Sequence, residues 1–402
     1  MKFSLLKSKI KTFYTIFIVS CKEWLLPKKA EVLIYDACGA EALMPYLNKH
    51  IVTTMAVRGE VINVPCLLRA ALTLNFWKVW KYNPFTAYTE AFIQAVSPKV
   101  VITFIDNNQA FYVISNRFPD IKTIFIQNGI RTKDVFEKLN KLENYHVDYM
   151  CVFGDAIGKK YNSYITGKAL TLGSLKNNAV KKNNIVSDDI VLFISQYREK
   201  AKKNAPFFTE VNGTPIYHDQ FYSTEVIALK FLVKWCAKNK KILKIAGVTY
   251  ENNGIEREFY ASILDGCAWE YQPKTEQYSS YKEIDAAEIV VFIDSTMGYE
   301  SIVRGKRTAS FSCRMVDMHD QTRVFGWPAV LPNNGPFWTN DQNETQFQRV
   351  MDYLNTVSDD DWEQTRKCYA SELIEFDSGN TRFVALLQVL LGTECDGHTV
   401  TV

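Results

Sequence analysis

The segment IVVFIDSTMGYESIVRGKRTASFS, residues 289–312, constrains the fold of this chain more than any other stretch. It reads as a buried strand, a tight polar turn, a short helix and a second strand. An apolar run closed by Asp294 and Ser295 fits a parallel strand covered on both faces. Ser295 or Thr296 is placed to cap the following helix, whose first N–H groups then point into a crevice at the strand's carboxyl end. Open α/β sheets bind ligands in that crevice, and a helix start there favours phosphate. Glu300 is spaced to reach a sugar hydroxyl beside such a phosphate. The element points to a phosphorylated ligand, a nucleotide or nucleotide-sugar.

The same pattern recurs along the chain. Glu31–Tyr35 ends at Asp36, and His50–Val57 ends at Arg58. A long amphipathic region from about 64 to 96 follows. Val100–Ile105 then ends at Asp106, Thr123–Ile126 at Gln127, and Tyr149–Phe153 at Gly154. Strands spaced by helices imply βαβ units and a parallel sheet. Residues 174–189 are polar and aperiodic, as a linker would be. Beyond them the pattern restarts: Ile190–Ile194 ends at Ser195 and Gln196, and Lys241–Ala246 at Gly247. A helix around Arg257–Leu264, a short strand at Trp269–Tyr271 and the 289–312 element complete it. A chain of 402 residues exceeds the usual size of one core. The expected architecture is α/β, two doubly wound Rossmann-like domains facing a cleft. The expected divisions are an amphipathic helix over 1–29, a first domain over 30–175, a second over 186–345, and closing helices over 346–392.

A formal charge of +3 is small for this length, and no basic stripe accompanies it, so nucleic acid is not an expected partner. Nine cysteines lie scattered without a CxxC pair or a Cys/His cluster, which argues against a zinc site and for free thiols in a reducing cytoplasm. No paired acidic motif suggests any other metal, and no cofactor is expected. Residues 3–26 are apolar and aromatic with interspersed lysines, yet the uncharged stretch Thr12–Cys21 is too short to span a bilayer. They read either as a basic amphipathic helix on the inner face of the cytoplasmic membrane or as a first helix packed on the domain.

Polar groups at the strand ends converge if the two sheets face one cleft. On the second domain, Ser295, Thr296, Gly298 and Glu300 are nucleotide candidates, with Ser195, Gln196, Thr249 and Glu251 on neighbouring strand ends. Plain helix capping also accounts for Ser295 and Thr296. On the first domain, Asp36 or Asp106 could act as general base if the cleft desolvates it. An Asx-turn is the alternative for either. Asn107, Gln127, Asn128 and Gly129 could hold substrate, although Gly129 could equally serve a turn at positive φ. His218, in a loop-like stretch, and His319 are candidate proton donors to a leaving phosphate. Arg304, Arg307, Arg314 and Arg323 are candidate phosphate ligands.

With these motifs assembled, the chain resembles bacterial surface-carbohydrate biosynthesis proteins first defined in spirochaete polysaccharide clusters. The matching segments are Val32–Asp36, Arg58–Asn63, Thr103–Asn108 and Ile124–Gly129, then Phe193–Tyr197, Asp294–Glu300, Arg304–Lys306 and Phe325–Pro328. They span about residues 30–345. More distantly the plan is similar to GT-B glycosyltransferases, including capsule-type Kdo and sialic-acid transferases and polyol-phosphate transferases. That resemblance implies a nucleotide donor on the second domain and an acceptor on the first. The His-Pro pair of several sialyltransferase families has no counterpart.

The expected function is therefore a metal-independent GT-B glycosyltransferase. It would move a sugar from a CMP- or UDP-type donor to a surface polysaccharide or lipid-linked glycan such as O-antigen or capsule. Helix dipole and cations would stabilise the leaving phosphate. A nucleotide-sugar epimerase of the same plan and a non-catalytic nucleotide-sugar-binding component are the alternatives.

Overall fold

A computed structural model describes residues 18–73, 85–139, 143–183, 187, 189–199, 206–209, 213–250 and 254–392. Two sheets dominate it. The first has six parallel strands in the spatial order Val52–Met55, Val32–Tyr35, Val100–Thr103, Lys122–Ile126, His146–Val152 and Thr166–Thr171. The second has seven, ordered Glu270–Lys274, Ile242–Tyr250, Ile190–Ile194, Ile289–Phe292, Arg307–Phe311, Trp338–Thr339 and Asn334–Gly335. All its pairings are parallel except the last.

Central strands are buried on both faces because βαβ crossovers place helices there, which is why they read as unbroken apolar runs. Side chains still alternate. Leu33, Tyr35 and Val101 join one core, while Val32, Ile34, Val100 and Ile102 join another on the opposite face.

The strand order reverses beside Val32–Tyr35 and Val100–Thr103 in the first sheet, and beside Ile190–Ile194 and Ile289–Phe292 in the second. At such a switch point the loops leaving adjacent strands diverge and open a crevice. Asp36 and Asp106 follow the first switch, and Ser195 and Asp294 the second.

The chain crosses between the sheets twice. After the short helix Leu175–Ala179 it enters the second sheet at Ile190. The helices Glu344–Thr356 and Asp359–Ala370 pack on that second unit, with the Phe347 ring stacked on Phe311 at 4.2 Å between centroids. The chain then returns along the first unit, where Glu375 N–H donates to Phe153 O at 2.9 Å. The last helix, Thr381–Leu391, buries Phe383, Leu386, Leu387 and Leu391 against Val32, Ile34 and Val100. It covers the free face of the first sheet.

Two sequence expectations are corrected. The helix expected over 1–29 gives way, in its described part, to the strand Cys21–Glu23, paired in parallel with Val61–Asn63; residues 1–17 lie outside the described part. His218 lies not in a loop but at the start of a 21-residue helix, His218–Lys238.

Candidate nucleotide-binding cleft

The strand Ile289–Phe292 delivers Asp294 and Ser295 to the switch point, and the helix Thr296–Val303 starts there. Ser295 is the N-cap residue, with φ −75° and ψ 138°, but its hydroxyl makes no capping bond to the helix. The first N–H groups of the helix therefore keep no side-chain partner from their own cap. Gly298 has a packing role. A Cβ there would fall 2.0 Å from the Phe292 ring, so glycine lets the helix lie down on its own strand.

The first domain meets this helix directly. Ile130 N–H donates to the Thr296 hydroxyl at 3.0 Å. Gly129 is not in the left-handed conformation expected of a turn glycine. It permits close approach instead, since a Cβ on it would lie 3.3 Å from Thr296 Oγ1. Gln127 turns inward and fixes the loop: its amide donates to Gly129 O and its carbonyl accepts from Phe153 N–H, both at 2.9 Å. Lys133 N–H donates to the Thr322 hydroxyl at 3.2 Å, a second tie between the units.

Between these loops lies a cleft of about 220 Å³, lined by Asn128, Lys176, Lys274, Tyr278, Thr296 and Glu300 among others. Glu300 is fully enclosed on its inner side. Its carboxylate accepts from the Ser174 hydroxyl and from Tyr281 Oη at 2.9 Å. Burial pushes its pKa up, and the two hydroxyls counter part of that rise. Lys176 Nζ lies 4.9 Å above the Phe104 ring, and Lys274 Nζ 5.3 Å from the Tyr250 ring. Two cations and an uncapped helix start thus surround one opening, an arrangement that attracts an anion.

The other expected site residues are placed as follows. Asp106 is buried, and both its oxygens are occupied: Arg131 forms a two-pronged pair with it (Nε to Oδ2 at 2.7 Å), and Tyr161 Oη and Asn128 N–H also donate to it. Asp36 sits at φ 79° in a two-pronged pair with Arg58, at 3.0 and 2.9 Å. Neither carboxylate lines the cleft. Gly39, at the end of the Asp36 turn, packs on Phe104, and Lys176 lies above the same ring. Asn107 is exposed on the Asp106 loop.

Ser195 and Thr249 do not face the cleft. Both hydroxyls donate to buried Glu256, which also accepts from Val248 N–H, Thr249 N–H and Tyr271 Oη. Gln196 accepts from Arg314 at 3.0 Å. Glu251 lies outside the described residues.

The arginines expected near phosphate have other partners. Buried Arg304 holds Asp285 and reaches Asn177 Oδ1 at 3.0 Å, binding the crossover to the second domain. Arg307 reaches Leu354 O and Asp359. Arg314 bridges Glu225 and Asp294, and Arg323 lies 3.5 Å from Asp294 and from Asp320. His218 is packed against Phe207, Tyr222 and Phe259, with Nε2 buried and without a hydrogen-bond partner; His319 is exposed at φ 52°.

Sequence reading missed Glu256, Arg131, Lys176 and Lys274. Only the two lysines carried a signal, as cations close to strand or helix ends. The carboxylate hub and the Asp106 partner depend on contacts that no local pattern reveals.

Residues 124–391 match the model of a family described as "putative O-antigen biosynthesis protein". The chain belongs to that family. Among curated proteins none matches its sequence. Among solved structures it superposes on a complex of S. aureus MnaA with UDP at a TM-score of 0.53 and 12% identity, covering 93% of this chain and 100% of that one. A protein described as "putative UDP-N-acetylglucosamine 2-epimerase" from Listeria monocytogenes gives 0.52 and 10%, with the same coverage. The wall teichoic acid polymerase TagF gives 0.48 and 8%, covering 91% of this chain and 90% of that one. At these identities the likeness concerns fold: two Rossmann-like units in the GT-B arrangement. No helix among the described residues is long and apolar enough to cross a membrane.

Proposed function

We propose that this member of the O-antigen biosynthesis family is a glycosyltransferase that takes a nucleotide-sugar in the cleft between its two units. The observation carrying this reading is the docking of the Gln127–Ile130 loop on the start of helix Thr296–Val303, beside two lysines and Glu300. The donor's phosphate would lie at the helix start, between Lys176 and Lys274. A carboxylate offers about four acceptor positions. Two on Glu300 are taken by Ser174 and Tyr281, which leaves capacity for a ribose hydroxyl.

The acceptor is a growing surface glycan or a lipid-linked glycan approaching from the first domain. Its hydroxyl oxygen forms a bond to the anomeric carbon while the bond from that carbon to the donor's phosphate oxygen breaks. The electron pair goes to the departing nucleotide phosphate, stabilised by the helix dipole and the lysines, and the proton goes to a carboxylate. We assign that role to Asp36, which does not line the cleft while paired and becomes accessible to an acceptor when its half-exposed partner Arg58 moves aside. Sealed Asp106 holds the Asn128–Arg131 loop.

The second reading, a nucleotide-sugar epimerase, is favoured by the end-to-end superposition on the Listeria monocytogenes protein described as "putative UDP-N-acetylglucosamine 2-epimerase". One assay separates them. Purified protein is incubated with UDP- and CMP-sugars, with and without membranes bearing the native acceptor. A transferase releases nucleotide only when acceptor is present. Conversion of the donor to an epimer without acceptor supports the second reading, and no turnover under either condition contradicts both.

A further inference from the structure

Among the described residues, the first unit exposes apolar side chains on two adjoining segments. Trp24 and Leu25 are 72% and 84% exposed, Leu26 is exposed beside them, and Leu68 and Leu72 face solvent at 60% and 88%. Two separate segments are brought together here. The strand Cys21–Glu23 pairs with Val61–Asn63, and Asn63 then caps the helix Val64–Ala71 while its amide donates to Leu25 O at 2.7 Å. That helix buries Cys66 and Ala70 on one side, so Leu68 and Leu72, four residues apart, form a second apolar stripe on the other. Solitary exposed leucines are ordinary; a tryptophan and four leucines exposed on two segments tied together through Asn63 are not.

Charge identifies what covers it. Exposed Lys28, Lys29 and Arg69 belong to the same two segments. Two exposed acids lie on the same segments, Glu23 accepting from the Asn63 amide and Glu60 from Arg58 N–H, so the three cations outnumber them. The flanking stretches of sequence have the same composition. Residues 1–17 carry Lys2, Lys7, Lys9 and Lys11, residues 74–84 carry Lys78 and Lys81, and neither stretch contains an acidic residue.

We propose that the surface formed by Trp24–Leu26, Leu68 and Leu72 docks on a bilayer bearing anionic headgroups. The aromatic and leucine side chains enter the interface while Lys28, Lys29 and Arg69 meet lipid phosphates. A second copy of this chain would present the same cations and place like charges opposite one another across a two-fold contact. The helix Val64–Ala71 adjoins the helix Phe85–Val96, whose Tyr88 accepts from Asn63 N–H and lines a cavity of about 240 Å³. Docking would therefore hold the acceptor unit at the membrane. This inference gives a location to the membrane contact implied by a lipid-linked acceptor, and rests on that reading only for its purpose.

The test is co-sedimentation of the full chain with phosphatidylcholine vesicles made with or without one third phosphatidylglycerol. Binding is expected only to the anionic vesicles, and to weaken as salt is raised. The variant Trp24→Ser/Leu25→Ser/Leu72→Ser, altered only at exposed positions, should lose roughly tenfold or more in affinity while keeping the parent's melting temperature. The variant Lys28→Ser/Lys29→Ser should lose most of the preference for anionic vesicles. Failure of the parent to bind either vesicle overturns the proposal. So does unchanged binding by the apolar variant, or a dimer in solution that this variant dissolves without any lipid binding by the parent. Nucleotide stabilisation, measured without vesicles, separates failure here from failure of the transferase reading.

Discussion

The backbone N–H of Ile130 donates to the hydroxyl of Thr296 across the cleft at 3.0 Å, joining the two units at the start of the helix proposed to hold the donor. Thr296→Val keeps the shape and removes the acceptor. The stranded N–H should cost about 1–2 kcal/mol of stability, read by urea denaturation. Nucleotide affinity should fall with it, read by calorimetry, because the loop and the helix start would no longer be held together. Equal stability and equal affinity would make the contact incidental.

Asp106 and Asp36 should respond differently to loss of charge. Asp106→Asn strands a guanidinium that is almost wholly enclosed, an effect of about 3–5 kcal/mol. Asp36→Asn releases a half-exposed Arg58, which costs about 1 kcal/mol or less. Activity measured well below each melting point should then fall about 100-fold or more for Asp36→Asn if it is the base. Nucleotide binding by that variant should be unchanged. A fully active Asp36→Asn protein would remove the assignment.

How much of this was legible beforehand follows from burial. Runs such as Val32–Tyr35, Ile190–Ile194 and Ile289–Phe292 are covered on both faces, so their apolar character announces two parallel sheets without further context. Thr166–Thr171 lies at a sheet edge and is mostly exposed, and Cys21–Glu23 is short and polar; both owe their conformation to the strand beside them. The helix His218–Lys238 did carry a helical signal, since Phe221, Tyr222, Glu225, Leu229, Leu232 and Cys236 recur on one buried side. At the site, the Ser295–Glu300 turn was readable because strand, turn and helix are consecutive. The Asp106–Arg131 pair and the Glu256 hub join residues distant in sequence, and pairings of that kind leave no trace in local composition.

Glu225 supplies a pH dependence. It is buried with Arg314, a cation it shares with Asp294, and its pKa is raised from 4.5 to about 7, chiefly by burial. In that window the folded state holds the proton more tightly than the unfolded chain does. The resulting stability is complete below about 4.5 and is lost as pH rises through about 7. Melting temperatures followed from pH 5 to 8 should therefore contain a falling component that Glu225→Gln removes. An identical slope in both proteins would refute this.

Gly298→Ala tests the packing role of the helix start. A methyl directed into the Phe292 ring should destabilise the fold by about 1–3 kcal/mol and displace the helix start. Nucleotide affinity should weaken in the same variant. Gly254→Ala, at a helical glycine where the nearest atom would lie 3.9 Å from the added methyl, is the control for the methyl alone. A Gly298→Ala protein with parental stability would show that the helix does not need this close approach.

The most direct test of the central claim is a thermal-shift measurement with CMP, UDP, GDP and TDP on the parent and on Glu300→Ala. A ligand that binds only the native state at a hundredfold excess over its Kd adds about 2.7 kcal/mol of stability. The account predicts that at least one pyrimidine nucleotide raises the melting temperature of the parent by several degrees, and that Glu300→Ala loses most of that rise. A parent stabilised by none of the four would contradict it.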